Sequence, residues 1–404
     1  MPPKFKLADH VIFLMLILIF YNATILPGSA IMYNGIVFIQ FFLFLSFFSL
    51  KLKENILKYS IPKVNTFNII FFLIFLVFFY SAFRNIDTNK SISSLFKLLS
   101  YFVLLILLFF YFSNRILKNE LLFDKFLNFL IYIGIFVSLI SLISFFAGLP
   151  LNAIYSAMTT GIFIHPNTAS HIFTILIPVT IYKYFSKKIS LSFFLFLIIL
   201  FLVTLLFTLS RAGYIGTLLA ILIITYSKSK KIFFITIFFL IIAVYLVILD
   251  FTFAKSNSSI SRIILWATAY DMIVRDLPHT LFGYGVTEAI TLFRNEKFFF
   301  GSMEDVPDPH NTLLLFSIQF GVIFTFLIFL IVILNYIKIF FIRKKDYYIR
   351  NKLKIFLCIS ITVGLSVQNM MENILAYPEH FVMAFYFIFL GCLFNVDSLK
   401  TENG

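Results

Sequence analysis

Apolar runs of about twenty residues recur along the whole chain and alternate with short polar stretches. A helical run of this length is long enough to cross the hydrocarbon core of a bilayer. Twelve such helices are predicted, at 10–26, 30–50, 67–84, 96–113, 128–148, 168–185, 189–209, 211–226, 232–251, 311–337, 355–371 and 380–396. The pattern therefore predicts an all-α polytopic membrane protein, with 1–404 as a single integral membrane domain.

Composition agrees with this class. The chain is 61% apolar and only 12% charged, with a mean hydropathy of +1.02, whereas a soluble domain is nearer half apolar and a quarter charged. The net charge of +14 does not indicate nucleic-acid binding, because lysines and arginines of a membrane protein first serve its orientation. Cys358 and Cys392 both fall inside predicted spans, so neither a disulfide framework nor a metal cluster is expected.

The distribution of basic residues predicts the orientation of the chain. With the N-terminus inside, the inner segments carry 23 of the 32 lysines and arginines. The positive-inside rule then puts both termini in the cytoplasm. The N-terminal stretch also resembles a signal peptide, with Lys4 and Lys6 before an apolar run. An uncleaved first span is favoured, because the predicted orientation then agrees with the distribution of basic residues without further adjustment.

Residues 252–310 form by far the longest hydrophilic segment and lie on the predicted outer side. A loop of that length in a compact chain is usually functional. Within it, "SSISRIILWATAYDMIVRD" predicts an amphipathic helix that could lie on the outer membrane–water interface. Its expected apolar face comprises Ile263, Trp266, Tyr270, Ile273 and Val274.

The chemically interesting residues also gather on the outer side. They occur in five motifs: "GIFIHPNTASH" (161–171), "TLSRAGYIG" (208–216), "SRIILW" (261–266), "LFGYGV" (281–286) and "DPHN" (308–311). These motifs come from separate parts of the chain and all face the same aqueous side in the predicted topology. This convergence indicates a site on the outer face.

Two arginines are candidate anion ligands. Arg211 lies at a very short predicted turn between two spans, where Ala212 and Gly213 would let a bulky headgroup approach. Arg262 lies near the start of the predicted amphipathic helix, where free N–H groups also favour an anion. A guanidinium keeps its charge and offers a planar fork to phosphate oxygens. The competing interpretations are a snorkelling interfacial arginine at 211 and a loop salt bridge at 262.

Other ionisable residues of the outer loop have ordinary explanations. Arg275 follows Asp271 by four residues, the spacing of a helical ion pair, so it is left out of the site. Glu304, Asp305, Asp308 and His310 could bind a divalent cation, but a solvated acidic loop is favoured. No metal and no cofactor are expected.

His310 is the candidate general base. Asp308 is expected to cap the following span and Pro309 to take its first helical position, which places His310 in the first helical turn. The helix dipole disfavours a charged imidazole there while Asp308 favours it, and a histidine poised near neutrality suits a general base. The alternative is an ordinary residue at a helix start. His165 and Asn167, in "HPN", fit a turn before a helix as well as a supporting role.

The order and spacing of "LSRAG", "SR…W", "GYG" and "PHNTLL…QFGVIF" in a many-spanning chain resemble the O-antigen ligase and polymerase superfamily. The resemblance covers the hydropathy plan of the whole chain, and its specific motifs lie in 161–171 and 208–321. It implies a GT-C-like helical fold with one long extracytoplasmic loop. It also implies a metal-independent glycosyltransferase of the bacterial inner membrane that acts on undecaprenyl-diphosphate-linked glycans at the outer face.

In this resemblance Arg211 and Arg262 hold the donor diphosphate and His310 serves as the base, with support from Ser210, Asn311, His165 and Asn167. The expected partners are the lipid-linked donor, a lipid A core or glycan acceptor, and the bilayer. A ligase is favoured over a polymerase of the same superfamily, because the outer loop is only moderate in length and carries few arginines. The third alternative is a transporter or flippase, but the predicted spans contain almost no ionisable residues along which an ion path could run.

Overall fold

The computed structural model describes residues 106–147, 163, 166–238, 241, 256–296, 308–372 and 381–402, and isolated positions between 10 and 18 and between 70 and 80. Within these residues the chain is helical and forms no strand. The helices are α1 (Ser113–Lys118), α2 (Glu120–Phe146), α3 (Pro166–Phe185), α4 (Leu191–Phe207), α5 (Arg211–Lys228), α6 (Ser256–Val274), α7 (Leu277–Phe282), α8 (Val286–Glu296), α9 (Thr312–Ile342), α10 (Asp346–Arg350), α11 (Lys352–Asn369) and α12 (Phe381–Phe394). A π-helix (Ile106–Phe112) precedes α1, and a 3-10 helix (Asn395–Glu402) follows α12.

The helical class predicted from the sequence is confirmed. Three helices among the described residues are long and apolar enough to cross a membrane: Glu120–Phe146, Thr312–Ile342 and Phe381–Leu399. The count of twelve transmembrane helices, the 252–310 loop as a unit and the sidedness of the chain remain predictions. The first three predicted spans lie almost entirely outside the described residues.

Acidic and basic side chains meet at one end of the bundle. The Lys183 ammonium, at the end of α3, lies 2.7 Å from Asp124 of α2, and Lys354, near the start of α11, pairs with Glu120. Because α3 is 20 residues long, its two ends are about 30 Å apart. The start of α3 and the end of α11 therefore lie together at the opposite end of the bundle, and the candidate site is found there.

Helices α5 and α11 pack closely because glycines meet at their crossing. A side chain on Gly216 would lie 2.6 Å from the carbonyl oxygen of Gly364, so only glycine permits this approach. A buried polar ladder accompanies the contact: the Thr174 hydroxyl of α3 lies 2.9 Å from Thr217 of α5 and donates to Gln368 of α11 at 2.9 Å. The three helices are thus held in one register where α11 approaches the site.

A glycine interlock joins the "GYG" segment to a kink in α9. The helix is broken at Gly321, whose φ is 87°, and the carbonyls of Ile318 and Gln319 accept hydrogen bonds from the amides of Tyr284 (2.7 Å) and Gly285 (2.9 Å). A Cβ on Gly321 would lie 2.1 Å from the carbonyl oxygen of Leu281. The kinked backbone of α9 and the backbone of the loop can therefore lie this close together only because glycine has no side chain there.

The same loop is tied to α6. The Tyr284 hydroxyl donates to the carbonyl of Met272 at 2.9 Å, and its ring stacks on His279 with centroids 4.1 Å apart. The helix predicted from "SSISRIILW…" is observed as α6, but it buries a partly different face. Leu265, Ala269 and Met272 pack in a cluster with Ile273, whereas Ile263, Tyr270 and Val274 are exposed.

Candidate active site

The buried carboxylate of Glu372 is the centre of the site. Glu372 follows the C-terminus of α11, and only 2% of its surface is exposed. Its Oε1 lies 2.8 Å from Nη2 of Arg262 on α6 and also accepts a hydrogen bond from the side-chain amide of Asn167, at the start of α3. One oxygen atom thus joins three elements that are far apart in sequence.

The backbone beside Glu372 holds the start of α9. The carbonyl of Glu372 accepts hydrogen bonds from the Thr312 amide at 3.1 Å and from the Thr312 hydroxyl at 3.2 Å. The Asn311 side-chain amide donates to the carbonyl of Met370 at 2.8 Å, while its Oδ1 accepts from the Leu313 amide. Asn311 is therefore the N-cap of α9 and also ties that helix to the end of α11.

The predicted cap at Asp308 is wrong. Helix α9 begins at Thr312 with Asn311 as its cap, so Pro309 is not its first helical residue and His310 is not in its first turn. The buried Asp308 carboxylate instead accepts from the backbone amide of His310 at 2.9 Å. An Asp side chain that bonds the amide two residues on forms a tight local turn, which competes with helical geometry.

His310 adopts a left-handed conformation in this turn, with φ at 48°. This backbone region is uncommon for residues other than glycine and is frequently found at functional sites. The imidazole is about four-fifths buried; its Nδ1 lies 3.6 Å from Oε2 of Glu372 and 3.8 Å from Oδ1 of Asp308. Nδ1 is a buried atom with no hydrogen-bond partner among the described residues.

The surroundings of Nδ1 determine which nitrogen of His310 can act as a base. Among the residues that the structure describes, the charged groups that face it are the carboxylates of Glu372 and Asp308, and an ionised carboxylate only accepts hydrogen bonds. The tautomer with the proton on Nδ1 is thus favoured, which leaves a lone pair on Nε2. Such contacts are often long in a substrate-free enzyme and shorten when substrate binds. Nε2 is the atom that can take a proton.

Opposing effects act on the Glu372 carboxyl. Burial raises its pKa, and the nearby charges of His310 and Arg262 offset part of this rise, while Asp308 adds to it. Burial has the largest effect, so the pKa lies above its ordinary value. Protonation of Glu372 would leave the hydrogen-bonded Arg262 guanidinium without its counter-charge, and a partly buried charge without its partner is costly.

Arg211 occupies the start of α5 at the same end of the bundle. The turn predicted around it is observed: α4 ends at Phe207, and Ser210 caps α5 by accepting from the Gly213 amide at 3.2 Å. The Ser210 hydroxyl lies 3.0 Å from that of Ser170. Ser170 in turn donates to the carbonyl of Asn167, so a short polar chain links this helix start to Glu372.

The space expected beside Arg211 is filled by protein. Ala212 and Gly213 are buried, and a side chain on Gly213 would lie 2.5 Å from Cβ of Ser170. The glycine therefore serves the packing of α5 on α3 and leaves no room for a headgroup. The Arg211 side chain is exposed, and an anion would approach it from the surface of the bundle.

An apolar cavity of about 300 Å³ begins next to the site. Thr312, Asn369 and Met370 line one end, directly beside the contacts that hold α9 to α11. The cavity continues between α9, α11 and α12 and reaches Tyr336 and Leu390, with Phe316 and Val363 among its walls. Thr312 begins α9 and Tyr336 lies in its second half, beyond the kink at Gly321, so the cavity follows most of this helix.

The structure brings together most of the predicted site. Arg262, His310, Asn167 and Asn311 all contact Glu372 or the residues next to it, and Ser210 is linked through Ser170. His165 lies outside the described residues, as do Glu304 and Asp305. The predicted ion pair of Arg275 with Asp271 is confirmed at 2.9 Å. Arg275 also forms an ion pair with Glu296 at 2.5 Å, and these contacts lie away from the site.

Residues 196–330 match the family model described as O-antigen ligase. The matched segment is therefore similar to the O-antigen ligase family and covers about a third of the chain. The match confirms the resemblance to the O-antigen ligase and polymerase superfamily, whose members are glycosyltransferase-like ligases and polymerases that use lipid-linked glycans in a membrane. No curated protein and no solved structure matches the chain.

The matched segment contains Arg211, Arg262 and His310, but not Asn167 or Glu372. Sequence reasoning missed Glu372 because "NMMENILAYPEH" follows an ordinary apolar run and matches no motif. One signal was present: the predicted topology places this short segment on the outer side, next to the other motifs. Its carboxylate was therefore a candidate partner for two outer cations.

Proposed function

We propose that this protein transfers a glycan from undecaprenyl diphosphate to an acceptor hydroxyl, as an inverting, metal-independent glycosyltransferase of the O-antigen ligase type. The acceptor is a lipid A core or a similar glycan. The reaction takes place on the outer face of the bacterial inner membrane. The observation that carries the proposal is the constellation around Glu372, in which a cationic anion ligand and an oriented imidazole share one carboxylate.

Arg262 supplies the anion ligand. One of its terminal nitrogens is occupied by Glu372, and about a third of the side chain is exposed. A guanidinium has five N–H donors in a fixed plane, so the remaining donors can bind two phosphate oxygens while the contact with Glu372 holds the plane in place. Arg211, exposed at the neighbouring helix start, provides the second positive charge. Together they neutralise the diphosphate as it leaves.

His310 supplies the base. Its Nε2 takes the proton of the acceptor hydroxyl as the oxygen forms its bond to the anomeric carbon. The bond from that carbon to the diphosphate oxygen breaks, and the electron pair leaves with the diphosphate, which the two arginines stabilise. The attack comes from the face opposite the leaving group, so the configuration at the anomeric carbon inverts.

The apolar cavity supports a lipid-linked donor. Thr312 and Met370 line one end of it, so a polyprenyl chain within it could place its diphosphate beside the residues that surround Glu372. The prenyl chain would enter this cavity from an equally apolar bilayer, so its binding there depends on van der Waals packing against the lining side chains rather than on transfer from water. Sugars beyond the diphosphate would extend into the aqueous side.

Purified protein tests the reaction directly. It is mixed with an undecaprenyl-diphosphate-linked glycan and a core oligosaccharide acceptor, and the glycosylated acceptor and free undecaprenyl diphosphate are measured by mass spectrometry. Both products should form in equal amounts, and transfer should persist in EDTA. No transfer to any acceptor hydroxyl by folded protein would contradict the proposal, and strict dependence on Mg²⁺ or Mn²⁺ would contradict its metal-independent form.

Gene deletion separates the ligase from a polymerase of the same superfamily. Loss of a ligase leaves finished polymer on the carrier lipid, whereas loss of a polymerase leaves single repeat units attached to the acceptor. A gel of the surface glycan distinguishes these patterns. The ligase form of the proposal predicts the first.

A further inference from the structure

The proposed transfer step does not by itself explain the contacts that Glu372 makes. This residue belongs to neither the matched segment nor any motif, yet it is almost fully buried and touches both proposed functional side chains. A buried carboxylate is costly unless its oxygens are well paired. The two oxygens of this carboxylate contact different side chains.

Among the described residues, the side chains that contact Oε1 are hydrogen-bond donors. Oε1 accepts from the Arg262 guanidinium and from the Asn167 amide, and both bonds fix where Arg262 lies. Oε2 faces Nδ1 of His310 at 3.6 Å. The carboxylate thus orients the arginine with one oxygen and the imidazole with the other.

We propose that Glu372 is a positioning residue for glycosyl transfer, which holds the Arg262 guanidinium with Oε1 and keeps the proton of His310 on Nδ1 with Oε2. Its effect on the reaction passes through these two side chains and requires no contact with substrate. The inference rests on the proposed roles of Arg262 and His310. Within the described part of the chain, Glu372 and Asp308 face the imidazole Nδ1, and Arg262 is the cation that faces Glu372.

Replacement of Glu372 by glutamine separates the two contacts. In Glu372→Gln the amide oxygen can still accept from Arg262 and Asn167 at the Oε1 position. The amide nitrogen then takes the place of Oε2 and donates towards Nδ1. The imidazole proton is shifted to Nε2, the atom that must accept the acceptor's proton. The substitution therefore preserves the anion ligand and disables the base.

The test measures binding and turnover separately. Binding of undecaprenyl diphosphate to the detergent-purified full chain gives donor affinity, and the transfer assay gives kcat and KM. Glu372→Gln should bind undecaprenyl diphosphate at least as tightly as wild type, because a negative charge beside Arg262 has been removed. Its kcat should fall about 100-fold, the lower end of the effect of a general base. Glu372→Asp, which keeps the charge, should recover part of this loss.

Glu296→Gln is the matched control, because it neutralises another carboxylate paired with an arginine, Arg275, outside the site. It should leave kcat and binding unchanged. Wild-type kcat in Glu372→Gln would overturn the positioning role. So would a parallel loss of binding and kcat in Glu372→Gln and Glu372→Asp, which is the pattern of a merely structural residue.

If Glu372→Gln does not fold, the Glu372→Asp variant alone tests the positioning role of Glu372. Its carboxylate is withdrawn by one methylene, so kcat should fall about tenfold at unchanged affinity for undecaprenyl diphosphate, and wild-type kcat would overturn the inference. Arg262→Ala tests the underlying function separately. Unchanged binding of undecaprenyl diphosphate in Arg262→Ala contradicts the proposed diphosphate site, whatever the Glu372 variants show.

Discussion

Nη2 of Arg262 lies 2.8 Å from Oε1 of Glu372, across 110 residues of sequence. The contact holds α6 against the end of α11. Because Glu372 is buried and Arg262 is partly exposed, the guanidinium is anchored from within while its outer edge remains available. An anion that binds there meets a ligand whose orientation is already fixed, which is the condition for effective electrostatic stabilisation.

Arg262→Lys should weaken donor binding. Lysine keeps the charge, but its single ammonium cannot hold Glu372 and a pair of phosphate oxygens in the fork geometry of arginine. We expect the KM for the undecaprenyl-diphosphate donor to rise about tenfold, equivalent to about 1.4 kcal/mol. Arg275→Lys, in the ion pair with Asp271 and Glu296, is the control and should behave as wild type. Equal KM values in the two variants would contradict this role of Arg262.

Arg211→Ala should reduce donor affinity without disturbing the fold. Arg211 is exposed, and the cap of α5 is formed by Ser210, so the helix start survives the substitution. Removal of one of two cations near a diphosphate should weaken binding of undecaprenyl diphosphate by roughly tenfold at low salt and less at high salt. Arg294→Ala, at an exposed position of α8, is the comparison. Identical affinities would remove Arg211 from the site.

Gly321→Ala should destabilise the protein and slow transfer. The added methyl group would lie 2.1 Å from the Leu281 carbonyl, at a φ of 87°. Strain of this kind costs about 1–3 kcal/mol, and release of the interlock would let α6 move relative to α9. Thermal unfolding in detergent and the transfer rate measure the two effects. Val322→Ala, next to the kink and partly exposed, should lower neither by a comparable amount.

Val363→Phe tests the lipid channel. The larger ring would fill part of the 300 Å³ cavity at its α11 wall. The KM for an undecaprenyl donor should rise about tenfold, while a donor with a short prenyl chain should be little affected. Val363→Ile adds one methylene and should have a small effect on both donors. An equal rise in KM for the short and long donors would indicate that the cavity does not hold the prenyl chain.

The sequence predicted the helical class, the turn before Arg211 and the gathering of Arg262 and His310, because apolar periodicity and short motifs carry these features locally. It did not predict Glu372, whose importance comes from a contact made only after α6 and α11 have packed. The start of α9 was misplaced for a related reason. Asp308 and Asn311 are both good caps in isolation, and the choice of Asn311 depends on its bond to Met370 in another element.

His310→Asn tests the proposed role of His310 as the base, because asparagine tolerates the left-handed backbone that His310 adopts but cannot accept the proton of the acceptor hydroxyl. The measurement is kcat for transfer by purified protein, with binding of undecaprenyl diphosphate as proof that the site is intact. We expect unchanged binding and a kcat at least about 100-fold below wild type. A variant that binds normally and transfers at the wild-type rate would contradict this role.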